Sequence, residues 1–183
     1  MIINKIHICG AYGSGKTTLA KELSKLLKIP YYSFDDIKYI VKYTKKRSVS
    51  ERKAMVKKIA SKSKFITEGA WSDYGEEAFK KADLIILLRT KPLKCVYQII
   101  KRYIKGDREI KNDFKTALII MKKAFIYYYT KDSISFHAHM SLIKKHNKNY
   151  LLLKSKDKRT LFAVLSEKEA LKELVKINKI KKR

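Results

Sequence analysis

Eight consecutive residues carry most of the chemistry this sequence offers: Gly10-Ala11-Tyr12-Gly13-Ser14-Gly15-Lys16-Thr17. The pattern G-x-x-x-x-G-K-[ST] builds a phosphate cradle. Its glycines let backbone N–H groups converge on one anion, and the helix that follows adds the positive end of its dipole. Lys16 then reaches the outer phosphates of a nucleoside triphosphate, and the Thr17 hydroxyl is placed to ligate Mg²⁺ between them. Gly10, Gly13, Ser14, Gly15, Lys16, Thr17 and Thr18 are the expected ATP-binding residues, with Lys16 also catalytic. Glycine occurs at only six positions, and three of them fall in this loop.

Other chemistry-bearing residues lie further along. Asp35 and Asp36 follow a short extended stretch, where a carboxylate can orient a substrate hydroxyl or accept its proton; one of the pair is equally suited to capping the next helix. Glu68 closes a later apolar run, where it could hold a Mg²⁺-bound water. Arg102, Lys105 and Arg108 flank Gly106-Asp107, a segment that could close positive charge over a transferring phosphoryl group. Trp71 and Tyr74 could stack on a planar substrate or pack against a sheet. His137 and His139 have no carboxylate or thiol at ligand spacing and read as structural.

These side chains need a scaffold, and hydrophobic periodicity supplies one. Ile2–Cys9, Tyr31–Phe34, Lys64–Thr67, Leu84–Leu88 and Tyr150–Leu153 read as strands, the fourth apolar on both faces like a central parallel strand. Helical spacing predicts helices over 16–28, 36–43, 50–61 with Ser50 as N-cap, 76–81, 93–105 and 113–129. Residues 159–165 fit strand or helix, and Ser166 with Glu169 forms a capping box opening a last helix. Strands alternating with helices predict an α/β, three-layer α/β/α domain over 1–183: a parallel sheet of about five strands, a short helical lid near 98–112 and a basic tail at 176–183.

Composition narrows the classes. The 183 residues are 45% hydrophobic and 33% charged, which is globular and argues against disorder. Net charge is +27, yet only seven of the 44 cations are Arg, so scattered Lys bias competes with a dedicated nucleic-acid face. Cys9 and Cys95 lie in apolar stretches without metal or redox spacing and read as reduced core residues. Neither a secretion signal nor an apolar run of bilayer length is recognisable, so the expectation is a cytoplasmic protein without a membrane partner.

The segments Gly-Ser-Gly-Lys-Thr-Thr-Leu-Ala-Lys at 13–21, Ile-Pro-Tyr-Tyr-Ser-Phe-Asp at 29–35, Phe-Ile-Thr-Glu-Gly at 65–69 and Ala-Asp-Leu-Ile-Ile-Leu-Leu at 82–88 resemble the adenylate-kinase-like P-loop kinases, nearest the DNA topology modulation (FlaR-related) family. The resemblance runs to about Ser155 and implies a substrate pocket after the second and third strands and an Arg-bearing lid over ATP. By position it makes Asp35 the substrate-side acid, Glu68 the acid on the Mg²⁺ side where similar proteins commonly have Asp, and Arg102 and Arg108 the lid arginines. The chain departs from the pattern at Arg89-Thr90, where an acid is often found, and at Gln98, where a first lid Arg is common. The expected function is an ATP- and Mg²⁺-dependent phosphotransferase acting on a nucleotide, nucleoside or similar small acceptor. The alternative is a nucleic-acid-binding P-loop NTPase or regulator of DNA topology, supported by charge alone.

Overall fold

Apolar side chains on both faces of one strand decide where the sheet sits. The computed structural model describes residues 3–41, 45–69, 72–105, 114–132 and 134–154. In β6 (Leu84–Arg89) the first five residues are fully buried, which places the strand inside a sheet covered on both sides. It pairs in parallel with β1 (Lys5–Gly10) and β7 (Tyr150–Lys154); β1 pairs in parallel with β5 (Phe65–Glu68), and β5 with β2 (Tyr31–Ser33). The result is a five-stranded parallel sheet in the order β2-β5-β1-β6-β7.

Helices cover both faces. Leu19, Ala20 and Leu23 of α1 (Lys16–Leu27) pack on Ile6, Ile8, Ile66, Leu84, Ile86 and Leu88. The residues between, Cys9, Ile85 and Leu87, point the other way, onto Phe79 of α4 (Ser72–Lys81) and Ile143 of α7 (Phe136–Lys145). A further cluster joins α5 (Pro92–Ile104) and α6 (Phe114–Ile126) to Ala11, through Cys95, Ile99, Ala117, Ile120 and Ala124. The expected α/β class, strand number and sheet direction all hold.

Local boundaries differ in three places. The helix expected over 36–43 is confined to α2 (Phe34–Lys38); Tyr39–Val41 forms β3, antiparallel to β4 (Lys45–Lys46), because an aromatic and two β-branched residues favour extended backbone. The guanidinium of Arg47 then donates to the carbonyls of Asp36, Ile37 and Tyr39 at 2.7, 3.1 and 2.6 Å, satisfying groups that the short helix leaves open. Second, the N-cap of α3 (Val49–Ala60) lies two residues before the expected one: it is Ser48, in a reciprocal capping box with Glu51. Third, α6 stops at Ile126, three residues short of the expected end, and α7, capped by Ser135, is a helix that the periodicity reading did not predict. The expectations for 159–177 and for the tail lie outside the described residues, as does the 106–112 part of the lid expected near 98–112; its 98–105 part is the end of α5 and its cap.

Candidate active site at the carboxyl edge of the sheet

The chain leaving β1 runs to one side of the sheet and the chain leaving β6 to the other, so a crevice opens at their carboxyl ends, where doubly wound sheets hold ligands. The Gly10–Thr17 loop occupies it. Gly13 has φ +69, and a Cβ there would lie 2.5 Å from the Cys95 carbonyl oxygen, so the close seat of α5 on the loop requires glycine. Gly15, also left-handed, is the N-cap of α1, with Lys16 the first helical residue and Thr17 and Thr18 exposed behind it. Thr90, just past β6, donates its hydroxyl to the Ser14 carbonyl at 3.3 Å, and Tyr128 donates to the Thr90 carbonyl at 3.1 Å. The loop is thereby braced from β6 and from the chain after α6. Lys16 Nζ donates to the Ala11 carbonyl at 2.8 Å and stands 5.8 Å from the Tyr12 ring centroid, at the mouth of the loop.

Strand register supplies the acid. Ser33 of β2 lies opposite Glu68 of β5, and Ile8 of β1 lies opposite the same glutamate, which sets the carboxylate beside the start of α1. Glu68 Oε1 accepts from Thr17 Oγ1 at 3.1 Å and from Ser33 Oγ at 2.9 Å, and the residue is only 4% exposed. Burial pushes its carboxyl above the usual carboxylate range, with Asp35 adding to the rise, while Lys16 and the two hydroxyls pull it back. A hydroxyl and a carboxylate side by side at a phosphate loop form an oxygen donor set of the kind that fits Mg²⁺.

Asp35 and Asp36 separate by environment. Asp35 is half-buried and acts electrostatically on Glu68, Lys38 and Tyr39; Asp36 is exposed. Neither is the N-cap of α2, because the Ser33 hydroxyl takes that place and accepts from the Asp35 amide at 3.3 Å. Gly69, at φ +144 beyond Glu68, passes so close to Phe34 that a Cβ would lie 2.6 Å from the Phe34 Cβ, which locks the end of β5 to the start of α2. Tyr74 is buried against Phe34 and donates to the Phe34 carbonyl at 2.9 Å, so it packs rather than presenting its ring to a substrate; Trp71 lies outside the described residues.

Arg102 is exposed in the last turn of α5, and Arg108 lies outside the described residues. His139 is buried and paired with the Tyr127 hydroxyl at 2.9 Å, and His137 bonds the Tyr128 carbonyl at 3.1 Å, as structural histidines do. Both cysteines are buried and free, with burial raising their thiols to about 12 for Cys9 and about 11 for Cys95. Among the described residues no group of His, Cys, Asp and Glu could by itself hold a metal ion, and no helix is long and apolar enough to cross a membrane. Beside the phosphate loop, a cavity of about 750 Å³ is lined by Arg89, Thr90, Pro92, Tyr128, Tyr129 and Lys154, among others.

Sequence reading missed Ser33, Lys38 and the bracing role of Thr90. Ser33 had a usable signal, since a serine two residues before paired aspartates is an N-cap pattern. The others are single polar residues whose roles depend on contacts across the fold.

No family model matches the chain. An uncharacterized protein of Bacillus subtilis, YqaC, is 36% identical over 84 residues, 45% of this chain and 47% of the relative, so the match spans about half the relative's length. A crystal structure of an uncharacterized protein from Eubacterium ventriosum superposes with TM-score 0.51 at 16% identity, covering 90% of this chain and 96% of that one. Shikimate kinase from Bacteroides thetaiotaomicron does so with TM-score 0.51 at 14% identity, covering 96% and 99%. With its parallel five-stranded sheet and its phosphate loop between β1 and α1, the chain has a P-loop α/β fold, shared with that shikimate kinase structure.

Proposed function

We propose that the protein is an ATP- and Mg²⁺-dependent phosphotransferase that acts on a small acceptor, a nucleotide, nucleoside or related hydroxyl-bearing compound. The observation that carries this reading is the junction of Thr17 with Glu68 at 3.1 Å, beside a complete phosphate loop and with Asp35 on the adjoining turn. The loop amides and Lys16 hold the β- and γ-phosphates and stabilise charge on the oxygens during transfer. Thr17 as direct ligand and Glu68 through a water would hold Mg²⁺, which would supply charge neutralisation between the phosphates. An acceptor oxygen attacks the γ-phosphorus; the new P–O bond forms as the β,γ-bridging P–O bond breaks, and ADP leaves with that electron pair. The proton of a hydroxyl acceptor passes to Asp35. Arg102 and Arg108 close positive charge over the transferring group.

The name of one structural neighbour makes a hydroxy acid a reasonable member of the acceptor panel, and the resemblance noted in the sequence makes nucleoside monophosphates another. The test is ATP consumption with Mg²⁺ across nucleosides, their monophosphates, cyclic hydroxy acids and DNA ends. Stimulation by one small acceptor above intrinsic hydrolysis supports the reading; none across the panel removes it. Stimulation by DNA alone, falling steeply with salt, favours the nucleic-acid alternative.

A further inference from the structure

The helix pair that braces the phosphate loop is apolar on its outer side as well as within. Cys95 and Ile99 of α5 turn inward, to Ala117, Ile120 and Ala124 of α6 and to Ala11. On the opposite side of α5, Leu93, Tyr97, Ile100 and Ile104 recur at helical spacing as one stripe, each between 41% and 77% exposed. Phe114, Leu118 and Phe125 are exposed on α6 at the same kind of spacing, and the Tyr103 and Phe114 rings, with centroids 6.1 Å apart, join the two helices. Single apolar side chains on a surface are ordinary; a stripe along the whole of one helix is a face fitted to an apolar surface.

Charge narrows what that surface is. Residues 84–106 hold six Lys and Arg and residues 114–131 hold four, with no Asp or Glu in either stretch, whereas α1, α2, α3 and α4 each carry at least one acid. By helical spacing Lys94, Lys101 and Lys105 fall along one flank of the α5 stripe, and all three are exposed. A second copy of the chain would set these cations against their own kind. A nucleic-acid strand would pair them with phosphates but leave Leu93, Ile100 and Ile104 in water. An anionic bilayer surface satisfies both features: headgroups take the lysines, whose stems lie along the apolar stripe, and the acyl boundary takes the stripe itself.

We propose that the outer side of α5, extended by α6, docks the protein on anionic membrane surfaces. This mode of binding lays a helix along the interface and needs no apolar run of bilayer length, so it departs from the expectation of no membrane partner, which rests on the lack of such a run. Apolar burial and headgroup attraction both contribute, and neither suffices alone. The docking face is the outer side of the helix whose inner side seats on Gly13. The proposal is independent of the reaction that the phosphate loop performs.

The test is co-sedimentation of the full chain with vesicles of phosphatidylcholine alone and of phosphatidylcholine with about one-third phosphatidylserine, in about 0.1 M salt. The anionic vesicles should bind about 10²-fold more tightly than the neutral ones. Tyr97→Ser combined with Ile104→Ser keeps the charge and should weaken that binding about 10-fold or more, with the urea midpoint unchanged. Lys101→Ala with Lys105→Ala should also weaken it about 10-fold, whereas Lys57→Ala with Lys58→Ala on α3, which removes equal charge elsewhere, should change it less than about 3-fold. Equal or absent binding to the two vesicle types overturns the proposal. So does binding that the serine pair leaves unchanged, or that the α3 pair weakens as much as the α5 pair, since that is the general attraction of a chain of charge +27. A lost fold or lower urea midpoint in the serine pair would mean that the chain's own residues already cover the stripe. A dimer in solution that the serine pair dissociates gives the face to a second copy, and single-stranded oligonucleotide binding that the pair weakens, without vesicle binding, gives it to nucleic acid. Each of these three results overturns the membrane assignment.

Discussion

The two ends of the candidate site are built on different principles. The phosphate loop is backbone chemistry: amides at the start of a 12-residue helix, left-handed glycines, and α5 seated so closely that Gly13 admits no Cβ. The proposed acceptor end is side-chain chemistry on a five-residue helix and a short hairpin, held by one arginine on three carbonyls. Backbone geometry tolerates almost no change and serves any triphosphate. Side-chain geometry is replaceable residue by residue, so it is where one member of such a fold can differ from another in its acceptor.

The sharpest break in that comparison is at the donor end. Lys16→Ala should reduce phosphoryl transfer by about 10³-fold or more while circular dichroism stays native, since the ammonium bears on phosphate charge and packs in no core. Wild-type turnover in this variant would take the loop out of the reaction. Asp35→Asn should leave ATP affinity within about 3-fold and lower kcat about 10²-fold, with Asp36→Asn changing kcat far less. A dead Asp36 variant beside an active Asp35 variant reverses the assignment.

Acid should destabilise the fold as a whole through two buried histidines. His7, sandwiched between Phe34 and Phe79, is lowered to about 3 by burial, and His139 to about 4 for the same reason. Both stay neutral in the fold and charge in the unfolded chain below about 6.5. Stability is therefore complete above that pH and falls as pH drops toward 4 and then 3, by up to about 1.4 kcal/mol per pH unit for each histidine. Urea midpoints from pH 7 to 4 measure this, and His7→Gln should flatten the slope; an unchanged slope would show that His7 is not the group responsible. Lys38 works in a different window. Its depressed value removes stability as pH falls from about 10.5 through about 8, so nothing further is lost from it in acid.

The smallest effect belongs to Arg47→Ala. Losing three hydrogen bonds at the end of α2 should raise the acceptor KM a few-fold and open the 38–48 region to protease, while ATP KM moves by less than about 2-fold. Equal loss at both ends would mean that the two regions are coupled more tightly than their construction implies.

Much of the donor end was legible in the sequence because its information is contiguous. Gly10 to Thr17 specify a turn, a helix start and a cation within one loop, and Leu84–Leu88 declare a central strand by being apolar at every position. The acceptor end was misread at 36–43. A helical count of apolar residues ran through Tyr39-Ile40-Val41, and nothing local signalled that Arg47 would terminate the helix from beyond the hairpin. Tyr74 invited a stacking role and proved to be packing, because only the fold reveals Phe34 beneath it.

What the sequence by itself determined is the phosphate loop, the α/β class and the identity of the five strands of the parallel sheet, all of which follow from backbone preferences and burial within about ten residues. Tertiary structure alone decided that Thr17, Ser33 and Glu68 meet, across separations of 51 and 35 residues. The reason is physical. Which side chains converge depends on strand order and register, and these are set by the whole sheet burying both of its faces at once, a condition that no local stretch of chain can express.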